Sequence, residues 1–158
     1  MDAFRPSTAS FTGRLSVQAD PVDAFPLFSP QGERSWVPGW NPEILSSRGG
    51  EWRQGQIFRT RDEHGEAIWV VSRLDLKIHE VEYHRVQSGR YVAQVVVRCR
   101  PSGRQRSEVT VSYSFVGLSA TGNREIEAMT QGAHDEKLEC WARWIAGHLD
   151  GAAIEPSG

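Results

Sequence analysis

The N-terminal part of the chain alternates between apolar and polar residues. Apolar or small side chains occupy every second position over 11–19, and this period of two predicts a half-buried β-strand. The strand is expected to end at Asp20 and Pro21, since aspartate can cap a helix and proline suits its first position. Pro26 keeps this helix short. Ser29 and Pro30 repeat this signal and predict a second short helix through about Trp36.

The middle of the chain is rich in Val, Ile, Tyr, Phe, Trp and Thr, which favours β-strands. Short polar and glycine-containing segments divide it, so the strands are expected to follow one another as antiparallel hairpins. The five predicted strands are 56–61, 67–74, 77–87, 90–100 and 105–118. In the last two, one face is apolar (Tyr91, Ala93, Val95, Val97, Cys99; Val109, Val111, Tyr113, Phe115) and the other is polar.

After Leu118 the apolar residues recur with the period of a helix. Ser119 or Thr121 can cap it, and Gly151 suits the position after its end. The expected apolar stripe consists of Ile126, Met129, Ala133, Cys140, Trp141, Trp144, Ile145, His148 and Leu149. About 28 residues at ~1.5 Å each make a rod of roughly 42 Å. Residues 1–150 are thus predicted to form one α+β domain, and 151–158 a disordered tail.

The apolar face of the sheet is the surface against which so long a helix can pack. Because a sheet twists, it cannot contact a straight rod along the whole length of the rod. The two are expected to part at one end and to leave an apolar cavity, which the short helices close. An apolar molecule is the expected occupant.

Composition and charge exclude several classes of protein. With 39% hydrophobic residues, the 158-residue chain is that of an ordered domain, and its net charge of −2 does not predict nucleic-acid binding. Four arginines at 98–106 are interpreted as a solvated hairpin tip. The two cysteines, Cys99 and Cys140, have no zinc-site spacing and indicate a reducing compartment. No signal peptide or membrane span is evident, so a cytoplasmic protein is expected. No metal and no cofactor are expected either.

Several segments resemble proteins of the START/SRPBCC superfamily. The most specific part is the run VDAFPLFSPQGERSWVPGW at 22–40, above all its second half. Segments 55–60, 68–71 and 118–123 are similar to uncharacterised bacterial members, and the resemblance covers about residues 10–149. It implies the helix-grip fold, a curved antiparallel sheet of six or seven strands that holds a long C-terminal helix. Members bind lipids, sterols, polyketides or plant hormones, and some are aromatase/cyclases, so the fold alone does not define the chemistry.

Twelve residues are predicted to line the cavity, and no catalytic motif identifies any of them as catalytic. They are Trp36, Trp40, Trp69, His79, Tyr83, Val95, Val111, Tyr113, Phe115, Met129, Ala133 and Trp141. The two tryptophans of the 36–40 segment either cover the cavity or anchor their loop to the core. His79 and Tyr83 are the inward polar candidates, whereas the direction of Trp69 stays open. Glu33 is interpreted as an exposed carboxylate at a helix N-terminus in preference to a cavity acid.

Other charged residues are given structural roles. Residues 134–139 contain His134, Asp135, Glu136 and Glu139, but neighbouring helix positions point in different directions, so no metal site is predicted. Arg73 and Asp75 are expected to form a surface pair at a hairpin.

Three functions follow from this interpretation. The first is binding of a small hydrophobic molecule, lipid-, polyketide- or aromatic-like. The second is a cyclase or dehydratase that uses His79 and Tyr83 in the same cavity. The third is a protein-interaction module that resembles chaperone co-activators, which an exposed apolar patch would favour. No nucleic-acid partner and no membrane insertion are expected, and a homodimer is left open.

Overall fold

The computed structural model describes residues 3–46 and 50–154. Its strands form one antiparallel sheet of seven strands in the order β1-β7-β6-β5-β4-β3-β2. The strands are β1 (Thr8–Val17), β2 (Glu43–Ile44), β3 (Ile57–Asp62), β4 (Gly65–Asp75), β5 (Glu80–Gln87), β6 (Tyr91–Pro101) and β7 (Ser107–Gly117). The predicted α+β architecture is therefore confirmed, with the short β2 as an additional edge strand.

The apolar face predicted from the alternation is the inner face of the sheet. β1 pairs with β7 along its whole length, from Thr8 opposite Val116 to Val17 opposite Ser107. All nine predicted inward residues of β6 and β7 are buried. Ser107, also buried, donates its hydroxyl to the carbonyl of Ala19 over 2.7 Å. The sheet thus supplies one continuous side of the core.

The prediction that β5 begins at residue 77 is wrong, because a turn occupies 76–79. The Asp75 carboxylate accepts hydrogen bonds from the backbone N–H groups of Lys77 and Ile78, which favours a turn over a strand. His79 has a φ of 56° and ends this turn. The expected surface pair is also absent, since Arg73 pairs instead with Glu80 over 2.8 Å.

The segment after β1 contains one turn of α-helix, α1 (Pro21–Ala24), and two 3₁₀ helices, Phe25–Phe28 and Gly32–Ser35. Pro21 occupies the first helical position as predicted, but the Asp20 side chain does not cap this helix. It accepts instead from the backbone N–H of Gln105, which joins α1 to the β6–β7 turn. Ser29 accepts from the N–H of Gly32 over 2.9 Å and so holds the second 3₁₀ helix.

The single long C-terminal helix is in fact two helices, α2 (Ala120–Glu127) and α3 (Gln131–Ile154). Ser119 caps α2 as predicted. The helix is interrupted at 128–130. There the Thr130 hydroxyl accepts a hydrogen bond from the N–H of Ala133 over 3.1 Å and caps the start of α3. α3 continues past Gly151 to Ile154, and the part of the predicted tail at 155–158 lies outside the described residues.

α3 packs across the sheet and lies against β1 at Gly13. A Cβ atom at this glycine would come within 2.5 Å of Leu138 and 3.3 Å of His134, so the missing side chain permits the close approach. Leu138 and Ile145 are buried, whereas Trp144, expected on the apolar stripe, is 38% exposed. No helix within the described residues is long and apolar enough to cross a membrane.

Candidate functional site

Two pockets lie on the inner side of the sheet and share a common wall. Arg85 of β5 and Tyr91 of β6 line both of them. We call the one beside α3 the helix pocket; its volume is about 280 Å³, and its other lining residues are Phe11, Phe115, Met129, Thr130, Ala133, His134 and Lys137. We call the other the loop pocket; its volume is about 250 Å³, and it lies between the 37–41 loop and the strands β3 to β6.

The loop pocket has aromatic walls that are fixed by hydrogen bonds. Trp69 faces inward, stacks on Phe58 at 5.5 Å, and donates its Nε1–H to Thr60 over 2.9 Å. Trp40 meets Trp69 edge-on at 5.6 Å and donates its Nε1–H to the carbonyl of Pro30 over 2.7 Å. Each indole thus has its polar atom satisfied, and its ring is held against its neighbour.

Three side chains give the helix pocket apolar walls. Phe11 of β1 and Phe115 of β7 contact each other with ring centroids 6.3 Å apart. Met129, in the break between α2 and α3, adds a third apolar wall, and Ala133 lies at the exposed edge. His134 also lines the pocket, but its Nε2 bonds the Val111 carbonyl at 3.1 Å, so its ring is held as part of the packing.

Arg85 separates the two pockets. Its guanidinium lies 5.3 Å from the centre of the Trp69 ring and 5.6 Å from that of Tyr91, within the range of cation–π attraction. One terminal nitrogen donates to the Tyr91 hydroxyl over 3.3 Å, whereas the buried Nε has no hydrogen-bond partner among residues 3–46 and 50–154. A guanidinium that lines a pocket presents a fork of N–H donors, which suits an acceptor on a ligand.

Lys137 of α3 brings a second cation to the helix pocket. Its Nζ lies 3.6 Å above the centre of the Tyr113 ring and 5.9 Å from that of Trp141. Burial, helped by the positive charge of Arg85, lowers the pKa of Lys137 to about 8. Near neutral pH, therefore, a measurable fraction of this amine is uncharged.

The interior also holds an acid that the sequence analysis interpreted as exposed. Glu33 as a whole is only partly buried, but its carboxyl group is enclosed by the protein. This burial raises the pKa of the carboxyl group well above the usual value. Its charge contributes to the raised pKa values of Tyr83 and Tyr113, for which burial is the larger cause. The second 3₁₀ helix thus presents its acid to the inside of the molecule, and the exposed-carboxylate interpretation is wrong.

The structure brings five of the twelve predicted cavity residues to the two pockets. Trp40 and Trp69 line the loop pocket, and Phe115, Met129 and Ala133 line the helix pocket. The other seven do not line either pocket: Trp36, Tyr83, Val95, Val111, Tyr113 and Trp141 belong to or pack against the core, and His79 lies in a turn.

Trp36 and Trp141 pack on each other at 5.7 Å, and Trp36 donates its Nε1–H to the Leu27 carbonyl over 2.8 Å. Trp36 therefore anchors its loop to the core, whereas Trp40 also forms a pocket wall.

The proposed pair of His79 and Tyr83 does not form a reactive unit. The Tyr83 hydroxyl donates to the Phe28 carbonyl over 2.8 Å in a buried position. The His79 ring lies against Phe25, with ring centroids 5.5 Å apart, and the positive φ of His79 places it outside the strand. The inward face of β5 begins at Val81, so it includes Tyr83 but not His79.

The two cations were not predicted from the sequence, although it contains a signal for each. Arg85 has the same parity as the inward Val81 and Tyr83, so the alternation of β5 places it inside. Lys137 lies four residues after Ala133 and four before Trp141, on the same face of α3. Charged side chains are seldom buried, so neither signal was used to predict a cavity residue. The cavity is therefore less apolar than predicted.

Comparison of the structure with solved structures finds the same fold in several proteins. Norcoclaurine synthase from Thalictrum flavum in complex with dopamine and hydroxybenzaldehyde is 15% identical, with a TM-score of 0.67 over 96% of this chain and 91% of that chain. The hypothetical protein jhp0584 from Helicobacter pylori is 9% identical, with a TM-score of 0.72 over 90% and 88%. Major latex-like protein 151 from Panax ginseng is 12% identical, with a TM-score of 0.63 over 94% and 99%.

Sequence comparison adds nothing to this structural similarity. No family model matches the chain, and neither does any curated protein. At 9–15% identity, the similar structures establish a shared architecture over nearly the whole length of both partners. Proteins of one fold carry out different chemistry, so the function must be argued from the two pockets.

Proposed function

We propose that this chain, which has the helix-grip fold of the START/SRPBCC superfamily, binds a small apolar or aromatic molecule between its sheet and α3. The helix pocket is the observation that carries the proposal, because Phe11, Phe115 and Met129 give it apolar walls. Such walls hold water poorly, so an apolar group is the favoured occupant. Trp40 and Trp69 provide aromatic walls in the adjoining loop pocket.

The volumes of the pockets limit the size of the ligand. They are about 280 and 250 Å³, whereas a dry cavity of about 150 Å³ accommodates benzene. Each pocket therefore suits a molecule of one or two rings. A protein of the same fold, norcoclaurine synthase, forms a complex with dopamine and hydroxybenzaldehyde, two molecules of this size class.

A thermal-shift screen with one- and two-ring aromatic compounds tests the proposal. A ligand at about a hundred times its Kd adds about 2.7 kcal/mol of stability, which corresponds to a rise in Tm of about 5–10 °C in a domain of this size. Ala133→Trp should abolish the response by filling the helix pocket. Glu139→Trp, at an exposed position of the same helix, is the matched control and should leave the response unchanged.

Two results would contradict ligand binding in the helix pocket. One is a broad panel without any shift in the wild-type protein. The other is a response that survives Ala133→Trp, which would place binding elsewhere.

A second candidate function, catalysis in the same pocket, is favoured by Lys137. An amine with a pKa of about 8 is a usable proton acceptor or nucleophile near neutral pH. A cyclase or dehydratase on this fold would thus depend on Lys137 in place of His79 and Tyr83. Incubation with an aromatic aldehyde and borohydride should attach an adduct to Lys137 in preference to the exposed Lys77. Equal modification of these two lysines would contradict it.

A further inference from the structure

We propose that the helix pocket selects an aromatic carboxylate, whose anionic group lies between Arg85 and Lys137 while its ring lies against Phe11 and Phe115. This inference rests on the proposed function and adds the chemical class of the ligand. It depends on two cations that line one small pocket, Arg85 from β5 and Lys137 from α3.

Neither cation has an acidic partner. Among residues 3–46 and 50–154, the ion pairs and hydrogen bonds to carboxylates do not include Arg85 or Lys137. Other inward or partly buried arginines of this sheet are paired; Arg90, for example, binds Glu125 over 2.6 Å. Two neighbouring cations without a counter-ion repel each other, and an anion between them removes that repulsion.

The hydrogen-bonding capacity of the two cations suits a carboxylate. Arg85 lines the pocket without binding any carboxylate of the described residues, and the fork of donors on a guanidinium matches the two oxygens of a carboxylate. The Lys137 ammonium lies over the Tyr113 ring and 5.9 Å from the centre of the Trp141 ring, and no oxygen of the described part of the chain accepts a hydrogen bond from it. A carboxylate would supply an acceptor to both groups.

The remaining groups around Lys137 do not already supply this charge. Tyr113 from β7 lies beneath it as a neutral ring with a pKa raised to about 12, chiefly by burial. On α3, His134 is bound to the Val111 carbonyl, and Asp135 accepts from the Gln131 side chain over 2.9 Å. Neither Asp135 nor the enclosed Glu33, whose charge acts on Tyr113, forms an ion pair with the amine.

Binding should therefore depend on pH in a defined direction. An aromatic carboxylate is ionised above about pH 5, so between pH 6 and 9.5 the titrating partner is Lys137. The affinity should be constant below about pH 7 and should fall as the pH rises through 8, where the free protein loses the proton of Lys137. A neutral amide of the same shape should show no such change.

The experiment is isothermal titration calorimetry with 2-naphthoate and its neutral analogue 2-naphthamide. Wild-type protein should bind the carboxylate about tenfold or more tightly than the amide at pH 6.5. Arg85→Gln and Lys137→Gln should each remove this preference, whereas Lys77→Gln, at an exposed position, should keep it. Lys137→Arg should keep the preference and lose the fall in affinity near pH 8.

The outcomes separate this inference from the proposed function. If 2-naphthamide binds as tightly as 2-naphthoate, the carboxylate preference is overturned while ligand binding stands. If neither compound binds, the inference fails, and the aromatic panel decides whether the proposed function survives. A preference that persists in both Gln variants would place the anion elsewhere and would also overturn the inference.

Discussion

Gly122 provides the sharpest test of how α2 is held against the sheet. A Cβ atom at this position would overlap the carbonyl oxygen of Arg90 and would come within 2.5 Å of its carbonyl carbon. Both are backbone atoms, so no side-chain rotation relieves the contact. Gly122→Ala must therefore move α2 away from the β5–β6 turn, and the hydrogen bond from the Leu118 N–H to the Arg90 carbonyl, 2.8 Å long, must stretch or break.

The expected magnitude combines three contributions. Overpacking costs about 1–3 kcal/mol, the lost hydrogen bond costs about 1 kcal/mol, and alanine gains about 1 kcal/mol over glycine in a helix. The net loss is then about 1–3 kcal/mol, or a fall in Tm of about 2–12 °C. Gly147→Ala is the matched control, because a Cβ atom there meets nothing within 4 Å. It should stabilise the protein by about 0.5–1 kcal/mol.

Urea denaturation of both variants measures the difference. The slope of the free energy against urea should stay that of the wild type, so that a change in midpoint reports stability alone. If Gly122→Ala were as stable as Gly147→Ala, the close approach of α2 to the turn would be refuted.

Three further predictions concern charge, thiol reactivity and capping. Burial raises the pKa of Glu80, but the Arg100 hydrogen bond and the neighbouring positive charges outweigh it, so the pKa lies below normal. Glu80→Gln should therefore lower the free energy of unfolding by about 1–2 kcal/mol at pH 7. In urea denaturation, this difference from the wild type should shrink below about pH 4, as the wild-type carboxylate is protonated. A difference that does not change with pH would contradict this. Burial raises the pKa of Cys99 to about 12, so alkylation of the folded protein at pH 8 should label Cys140 alone by mass spectrometry, and native labelling of Cys99 would be inconsistent with the fold. Thr130→Val should reduce the free energy of unfolding by about 1 kcal/mol and so lower the urea midpoint, because the cap of α3 is lost; an unchanged midpoint would contradict this role of Thr130.

Sequence periodicity predicted the sheet well where strands were long and one face was buried. β1, β6 and β7 were identified with their correct inward residues, because alternation reports burial directly. It failed where side-chain hydrogen bonds decide the backbone. The Asp75 carboxylate converts the predicted start of β5 into a turn, and Thr130 interrupts a helix that the apolar spacing alone would continue.

The candidate site was predicted less completely than the fold. Trp40, Trp69 and Phe115 were found because large aromatic side chains are recognisable as cavity walls in the sequence alone. Arg85 and Lys137 were not predicted as cavity residues. They matter because each lacks a carboxylate partner in the described part of the chain, and only three-dimensional coordinates show such a lack. The direction of Trp69 was undecidable for a related reason, since both faces of β4 carry apolar residues.

The shared position of Arg85 and Tyr91 has a thermodynamic consequence. A molecule that displaces either side chain reshapes both compartments at once, so the two occupancies cannot be independent. Linkage requires the influence to be mutual: if filling one compartment changes the affinity of the other by some factor, the reverse order gives the same factor. Titrations of this protein with two different compounds should therefore be analysed with a coupling constant from the start.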